Sequence, residues 1–215
     1  MFNPFKRKEQ ENKFRDENRL PPGQSLTQKF PVLHYGPTPQ TDIANWDLKV
    51  FGLVEEEVVW NWEDFNKLPR TKITMDIHCV TRWSKFDTEW EGVSIKTLVD
   101  EGFIKPKPEA KYVIQHCEYN YTTNTPIKAV MADNFLLATH FDGKPLTVEH
   151  GWPLRGVTGS FSDRSEDKTI YLWKGGKWLR GLEFSADDKL GFWEVNGYSN
   201  EADVWKEQRY SRGGW

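Results

Sequence analysis

The most constraining feature of this chain is a series of short apolar runs, each bounded by Gly, Pro or Asp. Such runs are typical of β-strands when they are rich in β-branched and aromatic residues. The pattern predicts strands at residues 46–51, 58–60, 73–79, 112–117, 169–173, 178–184 and 192–195. Because loops separate these runs, and not regular crossover helices, we expect an α+β fold that is richer in strand, and not a doubly wound parallel sheet.

Helical signals are fewer and depend on N-cap residues, whose side chains accept hydrogen bonds from the first free backbone N–H groups. The predicted helices are residues 62–68 after Asn61, residues 95–101 after Ser94, and residues 134–139 after Asp133. After the last of these, Asp142-Gly143 predicts a tight turn before residues 145–148. From Lys29 onward no second linker or repeat interrupts the pattern, so we expect one domain.

Composition excludes several classes of protein. Of the 215 residues, 37% are hydrophobic and 28% are charged, with a formal net charge of −3. This balance is too apolar for a disordered chain and offers no global positive field for nucleic acid. No uncharged apolar run approaches the ~20 residues of a membrane span. Two cysteines and no apolar signal-peptide segment predict a soluble cytoplasmic protein without membrane insertion.

Residues 1–25 form a separate, highly charged segment that ends at Pro21-Pro22-Gly23. A segment with this composition is typical of a solvated or helical tail, and a docking arm for a partner is the alternative. We therefore divide the chain into a loosely held N-terminal arm, 1–25, and one domain, 26–215.

Cys79 ends a predicted strand, and Arg82 follows three residues later. A nearby cation favours the thiolate, which is the reactive and metal-binding form, although an inert buried cysteine is the usual case. His78-Cys79 and His116-Cys117 also suggest a zinc site. Neighbouring strand residues point to opposite faces, however, so this spacing is poor for a shared metal. A cysteine hydrolase is formally possible, but no nucleophile signature frames Cys79.

Two basic segments carry the strongest chemical signal. HGWPLR at 150–155 and KGGKWLR at 174–180 together supply Arg155, Lys174, Lys177 and Arg180 around a glycine pair. Glycines let backbone N–H groups approach an anion, and Lys and Arg add charge and directed donors. The segments predict a phosphate or pyrophosphate site, with a basic turn between strands as the alternative.

Eleven tryptophans require an explanation of their own. Most are expected in the core, where the indole N–H finds a carbonyl partner. Exposed aromatic rings that stack on carbohydrate are the alternative, which leaves a non-enzymatic metal- or carbohydrate-binding module as a competing function.

Five motifs, in this order, resemble the molybdopterin-binding domain of the sulfite oxidase superfamily, and most closely its small single-domain bacterial members. They are PVLHYGPTP at 31–39, DIHCVTRWSKFDTEWEGV at 76–93, HGWPLR at 150–155, KGGKWLRGLEF at 174–184 and GFWEVNGY at 191–198. The resemblance covers about residues 25–210. It implies a β-rich sulfite-oxidase-type domain and a molybdenum cofactor-dependent oxidoreductase, which transfers an oxygen atom to or from a small sulfur-containing or anionic substrate. Sulfoxide-reductase-type activity is the alternative within the family.

The resemblance also implies roles for individual residues. Cys79 matches the cysteine whose thiolate binds molybdenum. The remaining cofactor contacts implied by the family are His34, Tyr35, His150, Arg155, Lys174, Gly175, Gly176 and Lys177. Tyr210 lies about where the family has an active-site tyrosine, and Arg82 and Lys85 are expected to attract an anionic substrate.

This chain departs from the family pattern at three points. Leu33 stands where sulfite-oxidising members have a substrate-binding arginine, so sulfite is less secure as the substrate than molybdopterin is as the cofactor. Residues 156–168 depart from the usual continuation after the arginine, and the polar stretch 161–168 resembles an insertion. No haem domain lies within the chain, so electrons are expected to pass through a separate redox protein or small carrier.

Overall fold

The structure, a computed structural model, describes residues 4–163 and 169–211. Within these residues the strands are β1 Ser25–Leu26, β2 Asp47–Gly52, β3 Val58–Asn61, β4 Thr71–Cys79, β5 Trp83–Val93, β6 Tyr112–Cys117, β7 Thr122–Pro126, β8 Phe135–Phe141, β9 Lys144–Pro145, β10 Arg155–Thr158 and β11 Leu179–Ser185. The helices are α1 Pro4–Asp16, α2 Trp62–Lys67, α3 Ile95–Asp100, α4 Ile127–Val130 and α5 Phe192–Val195.

The strands form two sheets. In the first, the order is β1-β5-β8-β10, with β4 paired to β5 and β9 paired to β8. In the second, the order is β3-β2-β11-β6-β7. Neighbours are antiparallel except for β1 beside β5 and β2 beside β11. The expected α+β fold is confirmed, and the mixed pairing distinguishes it from a parallel sheet with crossover helices.

Local sequence signals explain the two capped helices. The Asn61 side chain accepts a hydrogen bond from the backbone N–H of Asp64 at 2.9 Å and begins α2. Ser94 accepts one from the N–H of Thr97 at 3.3 Å and begins α3. Asp142-Gly143 forms the expected tight turn, which joins β8 to β9.

The predicted helix at residues 134–139 is wrong, because this segment is strand β8. Phe135 and Leu137 pack in the core cluster that includes the second sheet, whereas Leu136 and Ala138 pack in a cluster on the opposite face. All four side chains are fully buried. A strand that is buried on both faces has no polar alternation, so its sequence does not differ from that of a short buried helix.

Two predicted strands also differ from the structure. Residues 192–195 form helix α5. In residues 169–173, only Ile170 makes a strand-like bridge, to Asp203, and a 3₁₀ turn follows at Leu172–Lys174. Of the predicted insertion at 161–168, residues 164–168 lie outside the described residues.

The N-terminal segment contacts the β4–β5 hairpin. Arg19 donates two hydrogen bonds to Asp76, at 2.9 and 2.8 Å, and Asp76 is buried. The Phe14 ring stacks on Phe86 with 4.1 Å between centroids. These contacts attach the charged segment to the hairpin that ends in Cys79, so the segment is not the loosely held arm that its composition suggests.

Candidate functional site

A cavity of about 280 Å³ lies where the end of β4, the start of β10 and the loop before β11 meet. Six of the predicted site residues line it: His34, Tyr35, Cys79, Arg155, Gly175 and Lys177. Its walls are otherwise mostly apolar, with aromatic side chains from Phe30, Trp83, Tyr119, Tyr121, Trp173, Trp178, Trp193 and Tyr198. An apolar concave site with a few charged groups is the usual form of a small-molecule pocket.

Cys79 is the last residue of β4 and pairs with Trp83, the first residue of β5. Its Sγ lies 3.1 Å from the Thr81 hydroxyl. Burial raises the pKa of the Cys79 thiol, and the Thr81 hydrogen bond and the charges of Arg209 and Lys177 partly offset this rise. The buried thiol therefore needs a further positive partner, such as a metal ion, to be stable as a thiolate.

Arg155 and Lys177 form the basic wall of the cavity. The two residues are joined by an isolated antiparallel bridge, which brings the starts of β10 and β11 together. The buried Arg155 guanidinium donates to the carbonyl oxygens of Gly156 at 3.1 Å and His150 at 3.0 Å. Lys177 Nζ donates to the carbonyl oxygens of Leu33 and Glu149, both at 2.7 Å.

Burial lowers the pKa values of this basic wall, and positive neighbours lower two of them further. Burial lowers the pKa of Arg155 to about 10, and burial together with the Arg155 charge lowers the pKa of Lys177 to about 7. Burial and the charges of Lys177 and Arg155 lower the pKa of His150 to about 4. Like charges disfavour one another's protonated forms. An anionic ligand would relieve that repulsion.

His150 packs against Phe30, which lines the cavity, and has an unpaired ring nitrogen. Its ring stacks on Phe30, with 3.9 Å between the centroids. Within the described part of the chain, the buried His150 Nδ1 and Trp83 Nε1 have no hydrogen-bond partner. Buried polar atoms are usually satisfied, so both are available to a ligand.

The glycine pair has a structural explanation as well as a ligand-facing one. A side chain at Gly175 would bring its Cβ to 2.2 Å from the Gly156 carbonyl oxygen, and one at Gly176 would reach 2.4 Å from Cys117 Sγ. The Gly156 N–H donates to the Gly176 carbonyl oxygen at 2.9 Å. Glycine is therefore required for the close approach of this loop to β10 and β6, and Gly175 also lines the cavity.

Lys174 is a correction to the sequence interpretation. Its side chain is buried, but Nζ forms an ion pair with Glu194 and hydrogen bonds with Asn124 and Asn200, so the ammonium does not face the cavity. Arg180 likewise pairs with Asp47 at 2.6 Å and Glu118 at 3.2 Å. Of the four basic residues in the two motifs, only Arg155 and Lys177 therefore contribute to the cavity.

Arg82 and Tyr210 are not cavity residues. Arg82 is exposed at a positive φ of 69°, and its charge is not among the largest effects on the pKa of the Cys79 thiol. Tyr210 is 47% exposed and contacts the cavity through the Tyr198 ring, 5.1 Å away between centroids. Arg209 and Lys177 are the cations with the largest effects on that thiol.

Sequence reasoning missed Arg209, although it directly precedes Tyr210. Its Nε is buried without a hydrogen-bond partner in the described residues, and its guanidinium carbon lies 4.9 Å from the centroid of the Tyr210 ring. The main chain holds it in place, because the Ser199 N–H donates to the Arg209 carbonyl oxygen at 3.0 Å. The sequence offers only two indications of this role: Arg209 is basic, and it stands next to Tyr210.

The segment that contains the PVLHYGPTP motif forms one side of the cavity. His34 packs edge-on against Trp178 at 5.4 Å, and Tyr35 packs on Phe192 at 4.2 Å between centroids. Leu33 is half exposed and lines the same side. The position at which the family resemblance implies an arginine is therefore apolar here and lines the cavity.

The competing interpretations find less support. Within the described residues, no three His, Cys, Asp or Glu side chains come together in a group that could hold a metal ion. His116 instead pairs with Glu183 at 3.0 Å. Trp46, Trp60, Trp90 and Trp178 are buried, so these four rings are not available to stack on carbohydrate. No helix in the same residues is long and apolar enough to cross a bilayer.

Comparison with known proteins agrees with this geometry. The family model for the oxidoreductase molybdopterin binding domain matches residues 35–193. The uncharacterized oxidoreductase YuiH of Bacillus subtilis is 43% identical over 194 residues, covering 90% of this chain and 92% of that protein. A putative protein-methionine-sulfoxide reductase subunit, YedZ1 of Azospira oryzae, is 28% identical over 191 residues, covering 86% and 68%.

A solved structure shares the fold. The crystal structure of the sulfane dehydrogenase SoxCD from Paracoccus pantotrophus superposes with a TM-score of 0.58 at 24% identity, covering 72% of this chain and 42% of that one. The family match spans the Cys79 strand, both basic motifs and the cavity wall between them. This chain therefore belongs to the oxidoreductase molybdopterin-binding domain family and is a molybdopterin-dependent oxidoreductase.

Proposed function

We propose that Cys79 binds the molybdenum of the cofactor and that Arg155, Lys177 and His150 bind the anionic end of the pterin. The observation that carries this assignment is a buried thiol in the same cavity as Arg155 and Lys177, neither of which forms an ion pair with a carboxylate among the described residues. A soft thiolate suits molybdenum, and a phosphate suits a lysine beside a guanidinium. The unpaired Nδ1 of His150 and Nε1 of Trp83 fit a ligand that is rich in nitrogen and oxygen atoms.

The bound cofactor would supply two-electron oxygen-atom chemistry, and the chain supplies orientation and charge. At neutral pH, Arg155 is protonated and His150 is neutral, as their pKa values of about 10 and about 4 require. Lys177, at about 7, would gain its proton fully when an anion binds beside it. The aromatic walls would exclude water from the reacting atoms.

We further propose oxygen-atom transfer to or from a small sulfur-containing or anionic substrate near Cys79. Arg209 and Lys177 are the cations whose charge acts on this thiol, which supports an anionic group on the substrate. Leu33 is apolar where the family resemblance implies a substrate-binding arginine. This supports a substrate with less negative charge than an arginine at that position would favour. Tyr210 would act through Tyr198 and not by direct contact.

The experiment is a pair of assays on cofactor-loaded protein. Sulfite oxidation with an artificial electron acceptor and sulfoxide reduction with a reduced viologen are measured for the wild type and for Cys79→Ser. Activity in either assay that disappears in Cys79→Ser supports the proposal. Activity that survives in Cys79→Ser contradicts the role of the thiol.

We also propose that a separate redox protein or small carrier exchanges electrons with the site, in the cytoplasm. Both cysteines are free thiols, which agrees with a reducing compartment. Cell fractionation checks the location, and recovery of the protein from an oxidising compartment would contradict it.

A further inference from the structure

Gln24 contacts the Cys79 turn from outside the part of the chain that the family model covers. That match begins at residue 35, whereas Gln24 lies near the end of the charged N-terminal segment, 1–25. Gln24 is 2% exposed, and its Nε2 donates to the Cys79 carbonyl oxygen at 3.1 Å. The carbonyl also accepts from the Arg82 N–H at 3.0 Å, which closes the turn between β4 and β5.

The residues that follow Gln24 bind the other side of this turn. The Ser25 N–H donates to the Arg82 carbonyl oxygen at 3.1 Å, and the Thr27 N–H donates to the Ser84 carbonyl oxygen at 2.9 Å. The Ser84 hydroxyl donates to Gln24 Oε1 at 3.4 Å. The Gln24 amide therefore joins the two ends of the turn, Cys79 and Ser84, through a single side chain.

The attachment of the segment does not depend on Gln24. Arg19 anchors it to Asp76 through two hydrogen bonds, and Phe14 stacks on Phe86. The Ser25 and Thr27 contacts use backbone groups, which survive a change of side chain at position 24. Loss of the Gln24 amide would thus leave the Cys79 carbonyl with the Arg82 N–H but without its side-chain donor, while the segment stays in place.

We propose that Gln24 is a positioning residue that sets the conformation of the Cys79 main chain, and thereby aims Sγ at the metal. The proposal rests on the proposed function, in which Cys79 is the metal ligand. Hydrogen bonds one step removed from a metal ligand orient that ligand, and their loss typically costs roughly 10- to 100-fold in metal affinity or activity. The N-terminal segment would then be part of the cofactor site and not an appendage to it.

Three variants of the full-length chain separate positioning from space filling. Gln24→Ala removes the amide. Gln24→Glu keeps the size and an acceptor for Ser84 but, when ionised, removes the donor to the Cys79 carbonyl. Gln28→Ala is the matched control, because Gln28 is an exposed glutamine four residues further along the chain.

Two measurements are made on each variant. The first is molybdenum and pterin per chain after expression with limiting molybdate, together with the thiolate-to-metal absorption band. The second is the rate at which iodoacetamide modifies each cysteine in cofactor-free protein, followed by peptide mass spectrometry. Cys117 is the internal reference, because it is buried away from Gln24 in strand β6 and the core cluster of the second sheet.

We expect Gln24→Ala and Gln24→Glu to lower metal occupancy about tenfold or more and to shift the absorption band, as loss of an orienting hydrogen bond requires. Both should raise the alkylation rate of Cys79 relative to Cys117, and Gln28→Ala should match the wild type. Unchanged occupancy in Gln24→Ala, or an equal rise at both cysteines, would overturn the proposal. Wild-type protein without molybdenum would contradict the proposed function instead, while the alkylation ratio would still test Gln24.

Discussion

Two lysines, the buried Lys174 and the partly buried Lys177, lie three residues apart in one loop and have opposite electrostatic surroundings. Lys174 is 1% exposed and is surrounded by oxygen ligands, including the carboxylate of Glu194. Lys177 donates to two backbone carbonyl oxygens, and the Arg155 guanidinium is the charge with the largest effect on its pKa, ahead of Cys79 and Glu149. Among the described residues, the first cation has a carboxylate ion-pair partner and the second has none.

The difference separates a structural charge from a binding charge. A buried ion pair that is complete within the chain adds little net stability, but losing one partner is costly. A partly buried cation beside another cation lowers the stability of the cofactor-free protein, and an anionic ligand that binds there removes this repulsion. Sequence motifs present the two lysines as equals, since both flank the same glycine pair.

The largest expected effect is loss of stability in Lys174→Met. The substitution leaves the Glu194 carboxylate buried without its cation, so unfolding should become easier by about 3–5 kcal/mol. Urea unfolding of the cofactor-free chain measures it. The double variant Lys174→Met with Glu194→Met should recover most of the loss, and Lys189→Met, which breaks an exposed pair, should change little. A double variant as unstable as the single one would show that the pair is not the cause.

Lys177→Met should have the opposite consequences, because it should weaken cofactor binding and leave the stability of the chain intact. Cofactor binding should weaken by about 1.5–3 kcal/mol, or roughly ten- to a hundredfold, through loss of a charge-assisted contact. The cofactor-free chain should be no less stable than the wild type, because a repelled cation is removed. Pterin retention during dialysis and urea unfolding report the two effects. Lys128→Met, at an exposed lysine, serves as the control. Equal pterin retention in Lys177→Met and Lys128→Met would contradict the role of Lys177 in cofactor binding.

The pKa of Lys177 predicts opposite pH dependences for binding and folding. In the cofactor-free chain this pKa is lowered from 10.5 to about 7, so the unfolded chain binds more protons between these values and folding stability rises with pH across them. A bound anion raises the pKa again, so cofactor affinity is full below about pH 7 and falls as pH rises.

Binding titrations and urea unfolding between pH 6 and 9 test both signs. Lys177→Arg, which stays protonated throughout, should flatten both dependences. An affinity that is independent of pH in the wild type would contradict a protonated Lys177 in the complex.

The smallest expected effect concerns the charges near the thiol. Arg209 lowers the pKa of Cys79, so Arg209→Met should raise it and slow alkylation of Cys79 in the cofactor-free chain. Arg82→Met should leave the rate unchanged, since Arg82 is exposed and outside the cavity. A pH series of alkylation rates measures the pKa of Cys79 in each variant. A change in Arg82→Met with none in Arg209→Met would contradict the role given to Arg209.

Sequence reasoning located the cavity through residues whose positions local structure determines. Cys79 ends a predicted strand, and Arg155 lies in the basic motif at 150–155, so short stretches of sequence identify both. It failed where tertiary contacts decide. The Lys174 ammonium faces away from the cavity because Glu194 lies on helix α5, a segment whose aromatic composition predicts a strand. No local pattern shows that two segments 20 residues apart form an ion pair.

The same limit applies to the residues that surround the thiol. Gln24 and Arg209 lie 55 residues before and 130 residues after Cys79 in the chain, so their approach to it depends on the whole fold. By contrast, the capped helices α2 and α3 depend on residues three positions apart, and both are confirmed. The sequence predicts contacts between residues that are close along the chain and misses contacts between residues that are far apart, whatever their type.

The central claim is that Cys79 binds molybdenum beside an uncompensated basic wall, and metal and pterin analysis of purified protein tests it most directly. Wild type and Cys117→Ser, from a molybdenum-replete host, should each contain one molybdenum and one pterin per chain and show a thiolate-to-metal absorption band. Cys79→Ser should lose that band. Wild-type protein that contains zinc and no molybdenum, or a Cys79→Ser variant with the band intact, would contradict the account.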